Sequence, residues 1–129
     1  MNFSEVERIF KNEFGDKANC FSILHFKYRD TFETDIPLAN RPGVYLFWHP
    51  AYDVVMLGKH QANSKKRALE HIRDNTKNEI IEIGRLKDDA NLDIYLFNVK
   101  DDKDKHWVLA LEAFFEWNLK PTIKAHRMG

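Results

Sequence analysis

Between Gly43 and Asn75 the chain gathers a phenol, an ammonium, a guanidinium and an imidazole into one local unit, as Tyr45, Lys59, Arg67 and His71. Hydrolysis of a phosphodiester needs a deprotonated water, charge stabilisation on the phosphoryl oxygens and help for the leaving oxygen. This unit holds groups of those kinds, so it reads as the working half of a module that cleaves or binds nucleic acid. A carboxylate comes from farther along. Glu112, in the run VLALEAFFEW, falls at the border of an apolar helical stripe, between Val108, Phe115 and Leu119. A carboxylate edged into apolar surface costs desolvation free energy unless a cation or a metal partners it. The alternative is a snorkelling surface glutamate or a structural salt bridge.

The elements that must position these groups can be read from pattern. Two apolar runs, Gly43–Trp48 and Val54–Leu57, flank the polar, turn-forming residues from His49 to Asp53, which predicts a β-hairpin with a longer loop. Gly58 and Lys59 close the second strand, and His60 to Asn63 forms a loop. Asn63 or Ser64 then caps a helix over Lys65 to Asp74, with Ala68, Leu69 and Ile72 on one side and Arg67 and His71 on another. Leu92 to Val99 is the clearest strand, apolar on both faces and therefore central or covered on both sides. A last helix, about Lys105 to Leu119, places Trp107, Val108, Leu111, Phe114, Phe115 and Leu119 on one broad stripe before Pro121 ends it.

Taken together, these residues resemble the GIY-YIG nuclease domain, named for two short strand motifs about ten residues apart. Gly43-Val44-Tyr45 matches the first motif. Met56-Leu57-Gly58 matches the second in its glycine and apolar middle residue, with Met56 standing where the family has tyrosine. Lys59 follows the second motif, Arg67 and His71 match the arginine of the family's first helix and the tyrosine or histidine one turn later, and Glu112 matches its metal-binding glutamate. The family's asparagine after the last helix has no counterpart; Lys124 sits near that position.

The resemblance covers roughly Arg41 to Lys124. It implies a divalent-metal-dependent DNA endonuclease in which Glu112 holds Mg²⁺ or Mn²⁺ and Tyr45 orients or deprotonates water beside Lys59. Arg67 would clamp the phosphate, and His71 would hydrogen-bond Tyr45 or share the base role. It also implies that Tyr45, Lys59, Arg67, His71 and Glu112 line one concave surface; a Glu112 on the opposite side of the sheet from Tyr45 would overturn the nuclease reading outright. Because Met56 lacks the motif hydroxyl, the rival expectation is a catalytically impaired module that binds nucleic acid or protein.

The rest of the chain sets bounds. One domain of 129 residues, 43% hydrophobic with ten phenylalanines, suffices for a core built largely from rings. Residues 1–40 read as an N-terminal elaboration on a nuclease-like core over 41–124. In it, Ser4 and Glu7 suggest a capping box, Phe3, Val6, Phe10 and Phe14 follow helical spacing, and Gly15 stops the helix. Cys20 to Phe26 alternates as a strand would. The expected fold is α/β: a small, mainly antiparallel sheet flanked by helices.

Twenty basic and twenty acidic side chains cancel, so DNA would be held by a local basic set, namely Lys65, Lys66, Lys120, Lys124 and Arg127, and not by bulk charge. Choice of a site would fall to this chain, a protein partner or a second subunit. A single cysteine suits a reducing cytoplasm and excludes a zinc ribbon. No apolar run approaches a membrane span, and Asp101 to Lys105 reads as a solvated turn. No Walker loop, dinucleotide fingerprint or G-x-S-x-G is present, which argues against P-loop nucleotide hydrolysis and acyl transfer.

Overall fold

In the computed structural model, residues 2–27, 41–60 and 91–121 are described. The chain opens with helix α1 (Phe3–Phe14) and a 3₁₀ stretch (Gly15–Cys20), then enters strands β1 (Phe21–Lys27), β2 (Gly43–His49), β3 (Asp53–His60) and β4 (Asp93–Val99). A 3₁₀ turn (Asp102–Asp104) leads into helix α2 (His106–Leu119). The strands form one antiparallel sheet in the order β1-β4-β2-β3. This is the expected α/β architecture, with helices packed on an antiparallel sheet. The expected helix over Lys65 to Asp74, with Lys65, Lys66, Arg67 and His71, lies outside the described residues, as do Lys124 and Arg127.

Helix α1 starts two residues before the expected capping box. The side chain of Asn2 accepts the Glu5 N–H at 3.1 Å, so Asn2 is the cap and Ser4 lies within the first turn. The earlier start puts Phe3 on the helix, where its ring stacks on Tyr95 at 3.6 Å. At the other end Gly15, with φ at +53°, donates its N–H to the Lys11 carbonyl, a backbone state open to glycine because it has no Cβ.

Alternation divides the sheet into two faces. Phe21, Val44, Leu46, Val54, Leu57, Tyr95, Phe97 and Val99 join Val6 and Phe10 of α1 and Val108, Leu111, Phe115 and Leu119 of α2 in one core. Both described helices therefore cover the same face. Phe97 is the centre of that packing, with Phe10 and Phe115 meeting it edge-on at 5.1 and 4.9 Å. The other face carries Tyr45, Phe47, Met56, Ile94 and Leu96, each 3% exposed or less.

Burial of all seven residues of β4 follows from its central place between β1 and β2. The hairpin β2–β3 turns through Pro50 to Tyr52, where His49 Nδ1 accepts the Ala51 N–H at 3.1 Å and Asp53 adopts a φ of +58°. A bulge beside Trp48 gives β3 one extra residue, Val55. The second strand also runs through Lys59 to His60 rather than closing at Lys59, because Val44 and Gly43 continue the ladder opposite them.

Candidate functional site

The two motif glycines have a steric explanation. Tyr45 on β2 pairs across the ladder with Gly58 on β3. Its phenol lies over that glycine, so a Cβ at position 58 would collide with Oη and Cζ. Gly43 similarly makes room for the Asn98 side chain and the Phe97 carbonyl. The phenol is thereby aimed from β2 across β3, the strand at that border of the described sheet. Met56 is on the same face, paired with Phe47, and is 3% exposed; it fills with apolar bulk the place where the motif has a hydroxyl.

Lys59 and Glu112 belong to the other side. Lys59 pairs with Val44, whose side chain is in the core under the helices. Glu112 is 6% exposed and shares the buried side of α2 with Val108, Leu111, Phe115 and Leu119. Tyr45 thus projects from the sheet face opposite the core, whereas Glu112 is on the buried side of α2, the helix that covers that core. Their nearest shared landmark is β3, which Tyr45 crosses on one face and α2 packs against on the other. Lys120, exposed and left-handed at φ +49°, ends α2.

Mg²⁺ keeps several waters when it binds protein carboxylates, whereas a 6% exposed Glu112 offers little surface to a hydrated ion. Among the described residues no group of three or more His, Cys, Asp or Glu side chains is placed to hold an ion.

Compared with family models, curated proteins and solved structures, the chain matches none.

The described residues hold a second cluster that was not among the sequence-based expectations. Asp93, 5% exposed at the start of the central strand, is on the helix-covered face with Tyr95 and, across the ladder, His25 and Lys27. His25 Nε2 and Lys27 Nζ approach the same Asp93 oxygen, Oδ1, at 2.8 and 2.9 Å. The His25 ring lies nearly parallel to Tyr95, 4.3 Å away with planes 12° apart. Burial, and then the Asp93 charge, raises the pKa of the Tyr95 phenol above its ordinary value. The available signal was an aspartate opening an otherwise apolar strand, with a histidine and a lysine two residues apart in the alternating run that precedes the hairpin.

Proposed function

We propose that this chain is a nucleic-acid-binding module on a GIY-YIG-like scaffold whose hydrolytic centre is impaired. One observation carries the reading: Tyr45, which would activate water, is on the sheet face away from the core, while Glu112, which would hold the metal, is buried on the helix that covers the core. A base acts only within hydrogen-bond reach of the proton it takes, about 3 Å or one intervening water. Met56, buried where the second motif has its tyrosine, removes a further polar group from the Tyr45 face. The ordered motif residues support the nucleic-acid part of the reading, and Lys27, beside His25 on the Asp93 carboxylate, adds to it.

A second reading keeps full activity as a DNA endonuclease dependent on Mg²⁺ or Mn²⁺. The seat of the phenol on Gly58, which points Tyr45 toward the strand that α2 also packs against, favours it, and the helix-side position of Glu112 stands against it.

Labelled DNA in an anisotropy assay, run beside a cleavage assay with Mg²⁺ and with Mn²⁺, separates the readings. Binding without cleavage above the Glu112→Gln background supports the impaired module, and Met56→Tyr then leaves cleavage at background or creates it. Cleavage that Glu112→Gln lowers by about 10²-fold or more, the scale of losing a strong transition-state contact, would establish the endonuclease instead. Undetectable binding at low salt overturns both readings. It would favour a protein–protein adaptor that uses exposed apolar residues such as Trp117 and Leu109.

A further inference from the structure

Three rings form a continuous stack on the helix-covered face. Phe3 lies 3.6 Å from Tyr95 with planes 8° apart, and His25 lies 4.3 Å from the same ring. Two rings cannot share one face of Tyr95 at those separations, so Tyr95 is the middle layer and His25 an end. Because His25 and Tyr95 are ladder partners, the stack runs across the strands, from central β4 toward β1. β1 is the border strand of the described sheet on that side. The next layer beyond His25 therefore falls outside the sheet, and the His25 side chain is 49% exposed.

A half-exposed histidine ordinarily samples several rotamers, but this one is held twice. Nε2 is fixed on buried Asp93, and the ring is backed by Tyr95. Lys27 stands beside it, tied to the same Asp93 oxygen and 42% exposed, with only one of its three N–H donors needed for that contact. The outer surface is thus a pre-oriented ring with a cation next to it.

We infer that the outer face of His25 seats an unpaired nucleobase, with Lys27 meeting an adjacent phosphate. The inference rests on the nucleic-acid reading above and gives it a substrate class, single-stranded nucleic acid. Parallel stacking suits a base, whose face is open once it leaves a duplex, and such stacking tolerates any sequence. An ammonium beside the ring answers the charge that accompanies every base along the backbone. The ion pair of Lys27 with Asp93 offsets the carboxylate's charge where that phosphate would sit.

The test is anisotropy titration of a labelled single-stranded oligothymidylate of about a dozen nucleotides, within the span of known single-strand sites. The same titration is run with an abasic oligomer of equal length and with a duplex. For the unmodified protein, the abasic oligomer should bind about tenfold more weakly, the scale of losing one stacked base, and the duplex should also bind more weakly. His25→Ala should lose about tenfold on the oligothymidylate while His25→Phe, which keeps a ring, stays within about threefold. Lys27→Gln should flatten the slope of log affinity against log salt by about 0.7, the value for one phosphate on a single strand.

Tight binding of the oligothymidylate that His25→Ala leaves unchanged would overturn the stacking seat and keep the nucleic-acid reading. Equal affinity for the abasic oligomer or the duplex would overturn the unpaired base as ligand. Failure of the unmodified protein to bind any of the three would remove the nucleic-acid reading itself. Circular-dichroism melting checks that each variant is folded, and if His25→Ala is not, the abasic comparison and Lys27→Gln still decide.

Discussion

Replacing Gly58 with alanine should strain the hairpin through one identifiable contact. The new Cβ would collide with Oη and Cζ of Tyr45 and stand 3.0 Å from Cε1. These atoms belong to a ring that is 1% exposed, with Phe47 5.7 Å away, so the phenol has little room to swing aside. Overpacking of this kind costs about 1–3 kcal/mol. For a chain of 129 residues this corresponds to a fall in Tm of roughly 4–12 °C. The diagnostic measurement is a double-mutant cycle by urea denaturation followed by circular dichroism. Tyr45→Leu removes the colliding atoms at its own cost, and in that background Gly58→Ala should lose most of its penalty. The coupling should reach about 1–2 kcal/mol, well above the few tenths expected of independent sites. An unchanged penalty in both backgrounds would refute the claim that Gly58 exists to seat the phenol.

Three further outcomes follow from particular contacts. Tyr95 has a raised pKa, so its folded form retains the phenolic proton when the unfolded chain has lost it; the associated stability is complete below about pH 10 and declines as pH rises through the folded value. Tyr95→Phe should remove that alkaline decline in urea titrations taken across pH 9–11, the range around the ordinary tyrosine pKa. Phe115→Ala empties a position that meets Phe97 and Phe10 and is fully buried, and should cost about 3–5 kcal/mol in denaturant unfolding. Asn2→Ala removes the side-chain acceptor for the Glu5 N–H, and a melt should register a loss of about 1 kcal/mol with the fold intact.

Strands and helices were legible where a periodic apolar pattern coincided with a stop signal. β4 is central because both of its faces are apolar, and α2 ends beside Pro121 as its stripe does. The cap of α1 was misplaced by two residues because Asn2 and Ser4 are comparable capping side chains; the choice was made by Phe3 reaching Tyr95, a tertiary contact no local window contains. Glu112, expected at the border of the stripe, lies on its helix but on the buried side. What pattern could not supply was the face of the sheet that this helix covers. Alternation puts Tyr45 opposite Val44 and Leu46, but only packing decides which of the two sets α2 meets. The same limit hid the His25–Asp93–Lys27 group, whose members are up to 68 residues apart and meet only through strand order.

That order also governs when the sheet can be completed. β1 and β2 share no ladder; each pairs with β4, which lies between them. During synthesis the hairpin can close locally, but β1 must wait for a strand 68 residues beyond His25. At about 5–20 residues per second the wait lasts several seconds. Over that interval the N-terminal helix has no Tyr95 or Phe97 to pack on, and two strand edges remain without their native partner. A nascent chain stalled before Asp93 would therefore hold a hairpin and a loose amphipathic segment, both open to aggregation, and arrival of β4 would join β1 to the hairpin and give the helix its packing surface.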